Sequence, residues 1–258
     1  MNIAVLVKHV PDTYSVRTLR VSDARLDRAS IDSVIDEIDT RGVETALRLI
    51  EEHGGEVTVI TMGGERAGDA LRKALAMGAS NALHITDVGL AGSCALQTSH
   101  ALAAAIRSQP IDLVITGNAS SDGSTGVLSS MLAERLGWPL LDSVRHLELH
   151  GRIANATRIG VAGSTKISAE LPAVVSVTEK INEPRYPSFK GIMAAKKKPI
   201  SALSVADLEL DSASLGAENS SVKVLEVVPR PPRAAGRKVH DDPHGVQLAS
   251  FLANSRLI

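Results

Sequence analysis

Short apolar runs recur along the first two thirds of the chain at intervals that suit buried strands. They are rich in β-branched residues and lack clean polar alternation, which is typical of parallel strands covered on both faces. A further run of this type, "AVVSVT", follows at residues 173–178. The earlier runs are "IAVLV", "VTVIT", "ALHI" and "IDLVIT", at residues 3–7, 57–61, 82–85 and 111–116.

Between these runs, apolar residues recur with the period of a helix. Residues 93–108, "SCALQTSHALAAAIRS", have the length of a helix and small side chains. Glycines at 54, 55 and 78 stand where helices should end. The alternation predicts a Rossmann-like α/β fold, with a mostly parallel sheet, helices on both faces and right-handed crossovers. One predicted helical face collects Val43, Ala46, Leu47 and Ile50.

From about residue 142 the pattern changes. Apolar and polar residues alternate around His150 and Gly151, which predicts a β-hairpin excursion. Further on, "VKVLEVV" at 222–228 predicts a strand, and "GVQLASFLANSRLI" at 245–258 predicts a final amphipathic helix.

An extended C-terminal arm, "PRPPRAAGRK" at 229–238, joins these last two segments. Because its three prolines prevent it from burying much of itself, it is either disordered or lies along another surface. We therefore expect an α/β domain at 1–228, followed by an arm and helix at 229–258.

Composition and charge narrow the possible functions. Of the 258 residues 44% are apolar, and 28 basic side chains nearly balance 29 acidic ones. A near-neutral chain with few aromatic residues lacks the field and the stacking surface that nucleic-acid binding needs. No apolar run approaches the roughly 18 residues of a spanning helix. Since the N-terminus also lacks leader features, we expect a cytoplasmic protein without membrane insertion.

Catalytic and metal-binding motifs are absent or weak. The single cysteine, Cys94, can form no internal disulfide and no multi-thiolate metal site. The common hydrolase and metalloprotease motifs are missing. "HDDPH" at 240–244 is more typical of a solvated arm than of a metal site. The sequence therefore predicts neither a catalytic constellation nor a metal.

The loop "TGNASSDGSTG", residues 116–126, is the best candidate for ligand binding. It follows a predicted strand and precedes a predicted helix, where parallel sheets offer unpaired N–H groups to phosphates. The shorter "MGGERAG" at 62–68 is expected at the same sheet edge. No Walker or dinucleotide fingerprint is present, so an ordinary strand-to-helix loop remains the alternative.

The segment "KINEPRYPSFKGIMAAKKKP", residues 180–199, places two rare aromatic residues on an expected exposed loop. The whole chain has two Phe, two Tyr and one Trp. Tyr186 and Phe189 either turn back onto their own domain, or present an apolar anchor beside the lysines at 196–198 to a protein partner.

Within this segment, residues 182–199, "NEPRYPSFKGIMAAKKKP", resemble the recognition loop of the electron transfer flavoprotein β-subunit family. Other segments match that family in order and spacing, so the resemblance covers essentially the whole chain. They are "VLVKHVPD" of the first strand and loop, "GVETALRL" and "ALRKALAMGAS" of the first two helices, and "LPAVVSV" of the strand before the recognition loop.

The resemblance implies a heterodimer with an α subunit that holds most of the redox FAD, while this subunit binds AMP in a structural role. It also implies a carrier that accepts electrons from dehydrogenases, notably acyl-CoA dehydrogenases, and passes them to a membrane-bound quinone reductase. Because the flavin supplies the redox chemistry and the protein supplies placement, a chain without its own catalytic constellation fits this role.

The resemblance also implies site residues by position. The loop 10–14 and Ile38 correspond to positions near the flavin edge in the family. Phe189 corresponds to the apolar anchor of the recognition loop, 182–198. The implied cofactor-binding residues are Leu6, Asp36, Ile38, Asp39, Met62, Gly63, Ser120, Ser121, Asp122, Gly123, Ser124, Thr125, Gly126, Val127 and Met131. The implied partner-binding residues are Tyr186, Phe189, Ile192, Met193, Lys196, Lys197 and Lys198.

The sequence departs from the family pattern at two implied contact regions. "DEI" stands at 36–38 where many relatives have Asn-Pro and an aromatic residue, and Ser124 and "VLSS" at 127–130 replace other residues of the nucleotide loop. The site could therefore hold AMP, another nucleotide or nothing. The same departures separate the chain from electron-bifurcating relatives and favour the ordinary carrier.

The alternative function is a stand-alone adenine-nucleotide-binding enzyme, or a stress-type ATP-binding protein on a similar sheet. Such a protein would turn over ATP alone and would have no use for the exposed loop at 182–193.

Overall fold

The computed structural model describes residues 1–20, 23–228, 231–236 and 238–258. The chain divides into two units, Met1–Leu225 and Glu226–Ile258. The expected boundary between residues 228 and 229 stays a prediction.

The larger unit contains all of the strands found in the described residues. They are β1 (Asn2–Leu6), β2 (His9–Pro11), β3 (Leu19–Arg20), β4 (Arg25–Leu26), β5 (Ser33–Ile35), β6 (Glu56–Met62), β7 (Asn81–Ile85), β8 (Leu113–Gly117), β9 (Leu140–His150), β10 (Ile153–Gly160), β11 (Gly163–Glu170), β12 (Ala173–Val177) and β13 (Ser201–Leu203).

The α-helices of the larger unit follow the strands in the alternation that the sequence predicts. They are α1 (Glu37–His53), α2 (Gly68–Met77), α3 (Ala95–Arg107), α4 (Leu128–Leu136) and α5 (Phe189–Lys197). Three short 3₁₀ turns accompany them, at Glu65–Ala67, Val88–Leu90 and Ser212–Ser214.

Nine strands form one sheet, in the order β11-β10-β9-β12-β8-β1-β6-β7-β13. The seven strands from β9 to β13 in this order run parallel. The predicted hairpin around His150 and Gly151 is confirmed as β9 and β10, and β11 adds an antiparallel strand at the outer edge. The Rossmann-like prediction is therefore confirmed.

Helices cover both faces of this sheet and enclose an aliphatic core. Helices α1, α2 and α5 pack on one face, while α3 and α4 pack on the other. Ile3, Leu71 and Ile115 are among the largest fully buried side chains, and each such side chain stabilises the fold by about 1.5–3 kcal/mol. Helices α1 and α2 end at Gly54 and Gly78, as predicted.

One predicted strand and one predicted loop are wrong. Residues 222–228, expected as a strand, pair with no strand of the described chain. An alternating apolar pattern is not sufficient for a strand, because the backbone also needs a ladder partner. In the expected loop 182–198, residues Phe189–Lys197 form α5, since the Ser188 side chain caps this helix by accepting from the Gly191 N–H at 3.0 Å.

The smaller unit contains one helix in its described residues, α6 (Val246–Asn254), as the sequence predicts. No residue of α6 is buried, and its apolar side chains Val246, Leu248 and Phe251 are exposed. The described residues before it form no regular element.

Candidate functional site

The carboxyl ends of β1, β6 and β8 meet at one edge of the sheet. Leu6 lies opposite Ile60 in the ladder, and Met62 lies opposite Ile85. The loop after β6 turns sharply at Gly63, whose carbonyl lies 3.0 Å from Nε2 of His84. The longer loop after β8 runs from residue 118 to residue 127 and leads into α4.

Asp36 joins helix α1 to this longer loop. Its side chain is almost fully buried and is the N-cap of α1, with Oδ1 accepting from the Ile38 N–H at 3.0 Å. Its Oδ2 accepts from the Ser121 N–H at 2.8 Å. Because both oxygens bind backbone donors, Asp36 fixes the loop relative to the helix and to the sheet.

Asp39, one helical turn later, ties the same helix to β1. Its Oδ2 accepts from the Lys8 N–H at 2.8 Å, and its Oδ1 lies so close to Gly117 that a Cβ there would stand 2.7 Å from it. Burial and the nearby Asp36 raise the pKa of Asp39 to about 8, against the opposing hydrogen bonds from Lys8 and Gly117. At neutral pH Asp39 is therefore mostly protonated.

The pKa of Asp122, in the loop, is shifted in the opposite direction from that of Asp39. Its fully buried side chain accepts from Lys8 Nζ at 2.8 Å and pairs with Arg28. Burial alone would raise the pKa of Asp122, but Lys8, Arg28 and the Ser120 side chain outweigh it and hold the pKa well below its usual range. The carboxylate is therefore ionised and satisfied within the protein.

The loop backbone is tightly turned and its polar atoms are only partly satisfied. Ser124 and Gly126 have φ of +50° and +64°, the left-handed region that favours glycine. Arg17 donates to the Ser121 carbonyl at 2.7 Å. Buried polar side-chain atoms normally have partners. Those near this loop without a protein hydrogen-bond partner are Thr116 Oγ1, Asn118 Oδ1, Ser121 Oγ and Ser129 Oγ.

The residues predicted for cofactor binding lie in the elements that form this edge. Leu6 and Met62 end their strands, Gly63 begins the shorter loop, and Asp36, Ile38 and Asp39 lie at the start of α1. Met131 lies in the first turns of α4. The remaining predicted residues form the loop itself: Ser120, Ser121, Asp122, Gly123, Ser124, Thr125, Gly126 and Val127. Their contact with a nucleotide stays a prediction.

The residues predicted for partner binding lie in residues 186–198, on the side of the molecule formed by α1 and α2. Tyr186 and Phe189 are exposed, and Ile192 and Met193 are more than one-third exposed. Lys196 and Lys197 are exposed, whereas the Lys198 ammonium donates to the Ala79 carbonyl at 2.5 Å. Lys198 therefore contributes less to a cationic surface than its two neighbours.

Sequence reasoning missed the charged residues that organise both regions. Lys8, Arg17 and Arg28 fix the loop, but they come from strand ends and turns whose approach to residues 120–122 no local pattern encodes. Glu44 and Arg185 link α1 to the segment before α5. The spacing of Glu44 and Glu51, two helical turns apart, was an available signal for a shared helix face.

The described residues contain neither a membrane-spanning helix nor a cluster of metal-binding side chains. No helix among them is long and apolar enough to cross a membrane. Within the same ranges, no group of three or more His, Cys, Asp or Glu side chains is arranged to hold a metal ion.

The fold and its loop edge define a Rossmann-like α/β domain, and comparisons with known proteins narrow that class. A family model described as "Electron transfer flavoprotein domain" matches residues 23–208. The chain is 46% identical to the electron transfer flavoprotein subunit beta of Mycobacterium leprae, over 100% of this chain and 99% of that protein.

Two further relatives carry the same name. The protein from Thermoanaerobacterium thermosaccharolyticum is 40% identical, over 87% of this chain and 86% of the relative. The Bacillus subtilis protein is 35% identical, over 98% and 97%. The chain therefore belongs to the electron transfer flavoprotein β-subunit family.

Proposed function

We propose that this chain is the β subunit of an ordinary, non-bifurcating electron transfer flavoprotein. In this proposal it forms a heterodimer with an α subunit, accepts electrons from acyl-CoA and related dehydrogenases, and passes them to a quinone reductase. It works in the cytoplasm as a carrier subunit and catalyses no reaction of its own.

The placement of the aromatic residues is the observation that carries this proposal. Phe and Tyr usually fill cores or interfaces. Here the exposed fractions are 98% for Tyr14, 94% for Tyr186, 80% for Phe189 and 61% for Phe251, and these four are all the Phe and Tyr residues of the chain. A protein in which every Phe and Tyr side chain is exposed is suited to contact other molecules through its surface.

AMP at the carboxyl edge of the sheet fits the residues present. The buried oxygens of Asn118, Ser121 and Ser129 have no protein partner, so a polar ligand at the loop could satisfy them. Lys8 and Arg17 bring positive charge to the same loop. We propose that Leu6 and Met62 pack on the base. In this proposal the phosphate is bound by N–H groups of residues 120–127 other than those of Ser121, Gly123 and Ser124, which already donate within the protein.

The exposed residues that follow β2 are suited to contact an FAD held mainly by the α subunit. Tyr14 and Val16 are exposed there, and Ile38 is half-buried at the start of α1. When bound, the flavin supplies the redox chemistry. This chain would place loop 10–14 and Ile38 against the flavin edge and exclude water from it.

Docking of the dehydrogenase is assigned to residues 186–197. Phe189, with Tyr186 beside it, would insert into the partner as the apolar anchor, flanked by Ile192 and Met193. Lys196 and Lys197 would speed the encounter with an acidic partner surface by long-range attraction.

Co-expression with an α subunit tests the proposal directly. The two chains should purify together as a yellow complex with flavin absorbance, and nucleotide extracted from it should include AMP as well as FAD by mass analysis. The chain expressed alone should be nearly colourless. ATP turnover by the isolated chain, with no yellow complex on co-expression, would contradict the proposal and favour an adenine-nucleotide enzyme.

A further inference from the structure

A buried carboxylate on α1 is held by the segment that leads to the docking residues. Glu44 is only 3% exposed, and a buried charge must be paired and hydrogen-bonded. Its Oε2 accepts from Arg185 Nε at 2.7 Å and from the Arg185 N–H at 3.2 Å, while Oε1 accepts from Arg48 Nε at 2.6 Å. Burial would raise the pKa of Glu44, but Arg185 and Arg48 outweigh it and lower the pKa.

Arg185 also reaches a second carboxylate on the same helix. Its Nη2 lies 3.1 Å from Oε2 of Glu51, which is seven residues after Glu44 and therefore about two helical turns further along α1. A planar guanidinium that spans two carboxylates is fixed both in position and in direction. We call the set Arg185, Glu44 and Glu51 the α1 clamp.

The backbone just before Arg185 is bound to the same helix. Asn182 Nδ2 donates to Thr45 Oγ1 at 2.8 Å and to the Arg41 carbonyl at 3.1 Å, and Arg41 donates back to the Asn182 carbonyl. Pro184 and Pro187 restrict the backbone further, because the proline ring fixes φ. Residues 182–187 are therefore held along α1 by contacts at Asn182 and Arg185, on either side of Pro184.

The chain after the aromatic residues is bound to a different helix. Arg72 of α2 donates to the Ala195 carbonyl at 2.7 Å. Helix α5 lies so close to α2 that a Cβ at Gly191 would stand 2.5 Å from the Ala76 carbonyl oxygen. Tyr186 and Phe189 are thus exposed in a short stretch fixed at one end by α1 and at the other end by α2.

We propose that the α1 clamp is a positioning device for partner docking, which sets Tyr186 and Phe189 in their binding arrangement before the partner arrives. This inference rests on the proposed docking role of Phe189 and adds Arg185, Glu44 and Glu51 to it as positioning residues. Ordering a segment in advance removes the entropy cost of ordering it during binding. The clamp itself need not touch the partner.

The test uses the two-subunit complex and an acyl-CoA dehydrogenase, with the steady-state KM for the complex and the limiting rate measured separately. Arg185→Lys keeps one positive charge beside Glu44 but cannot span both carboxylates. We expect it to raise the KM by roughly three- to tenfold, which lies within the range for one side chain immobilised only on binding. The limiting rate, the flavin content and co-purification should stay unchanged.

Two matched variants keep the result independent of folding. Glu51→Gln removes the more exposed arm of the clamp and should raise the KM by a smaller factor. Arg107→Ala removes an exposed arginine of α3, on the opposite face of the sheet from α1, and should leave the KM unchanged.

A double-mutant comparison separates the clamp from the docking role itself. If the clamp acts through the anchor, Arg185→Lys should add less than about a twofold effect to Phe189→Ala, since coupled residues are non-additive. A KM unchanged in Arg185→Lys but raised in Phe189→Ala would overturn the clamp alone. A KM unchanged in Phe189→Ala would overturn the docking role on which the clamp depends. Fully additive effects would also reject positioning.

Discussion

Two neighbouring strands of the same sheet lead into two regions of opposite character. After β8, the loop 118–127 folds back onto the sheet edge, where Asp36 and Asp122 are bound by loop or adjacent groups. After β12, residues 182–198 run outward along α1 and α2 and leave Tyr186 and Phe189 exposed. In the first region the buried Asp122 carboxylate is paired within the protein. In the second region the ion pair between Arg185 and Glu44 fixes a segment whose aromatic side chains are exposed to solvent.

The difference distinguishes the proposed nucleotide site from the proposed docking segment. In and beside the loop, several buried side-chain oxygens have no hydrogen-bond partner in the protein. In the segment, the polar contacts are made with the domain, so the outward side is free to contribute apolar area. The loop should therefore respond to changes in charge and pH, while the segment should respond to loss of side-chain area or of its fixed position.

The largest effect on the loop is expected from Asp36→Ala, at the N-cap of α1. This change leaves the N–H groups of Ile38 and Ser121 without their acceptor, and we expect a loss of about 2–4 kcal/mol in the free energy of unfolding. Bound nucleotide should be lost as well. Denaturant unfolding and nucleotide extraction measure the two effects.

Asp211→Ala is the matched control for this change. Asp211 caps an exposed 3₁₀ turn by accepting from the Ala213 N–H, so its loss should cost only about 0.5–1 kcal/mol and leave the nucleotide in place. Equal costs for the two variants would show that Asp36 does no more than cap a helix.

Asp39 should make stability depend on pH. Its folded-state pKa of about 8 exceeds its ordinary value of 3.8, so the folded protein holds a proton that the unfolded chain releases. Its contribution to stability is complete below about pH 4 and is lost as pH rises towards 8. Asp39→Asn cannot titrate, so its stability relative to wild type should rise by up to about 1.4 kcal/mol per pH unit across this window.

Denaturant unfolding of both proteins at several pH values between 5 and 8 checks this prediction. Parallel stability profiles for wild type and Asp39→Asn would mean that the carboxyl is ionised in the folded protein. The docking KM should not follow the same profile, because the α1 clamp is separate from this edge of the sheet.

The smallest expected effect concerns the lysines of α5. Replacing Lys196 and Lys197 with Gln should lower the association rate with the dehydrogenase by about two- to threefold at low salt. The difference should vanish in high salt, where exposed charges are screened. Lys166→Gln, an exposed change on β11, is the control. A deficit that persists at high salt would indicate direct contact and not steering.

Much of the fold was predictable because its signals are local. The parallel strands are short apolar runs, and Gly54 and Gly78 end their helices where the sequence predicts. The strand expected at 222–228 failed because pairing depends on a free partner edge, which no local pattern encodes. Helix α5 was not predicted because Pro184 and Pro187, which are typical of loops, stand just before its capping residue Ser188.

The candidate site was predictable only in part, for a similar reason. A small-residue loop after β8 was visible in the sequence, but the hydrogen bonds and ion pairs that fix it join residues more than 80 positions apart, as in Asp36 with Ser121 and Arg28 with Asp122. The clamp between Arg185 and Glu44 spans 141 positions. Whether Tyr186 and Phe189 turn inward or outward also depends on these long-range contacts, and so the sequence left both possibilities open.

The central claim is that Phe189 makes this chain a docking subunit. Single-turnover reduction of the yellow two-subunit complex by an acyl-CoA dehydrogenase tests it most directly. For Phe189→Ala we expect at least about a thirtyfold fall in the second-order rate, since central anchors contribute about 2 kcal/mol or more, with flavin content unchanged. Val161→Ala, which trims an exposed apolar residue at the turn between β10 and β11, should react like wild type. A Phe189→Ala complex that is reduced at the wild-type rate would contradict the account.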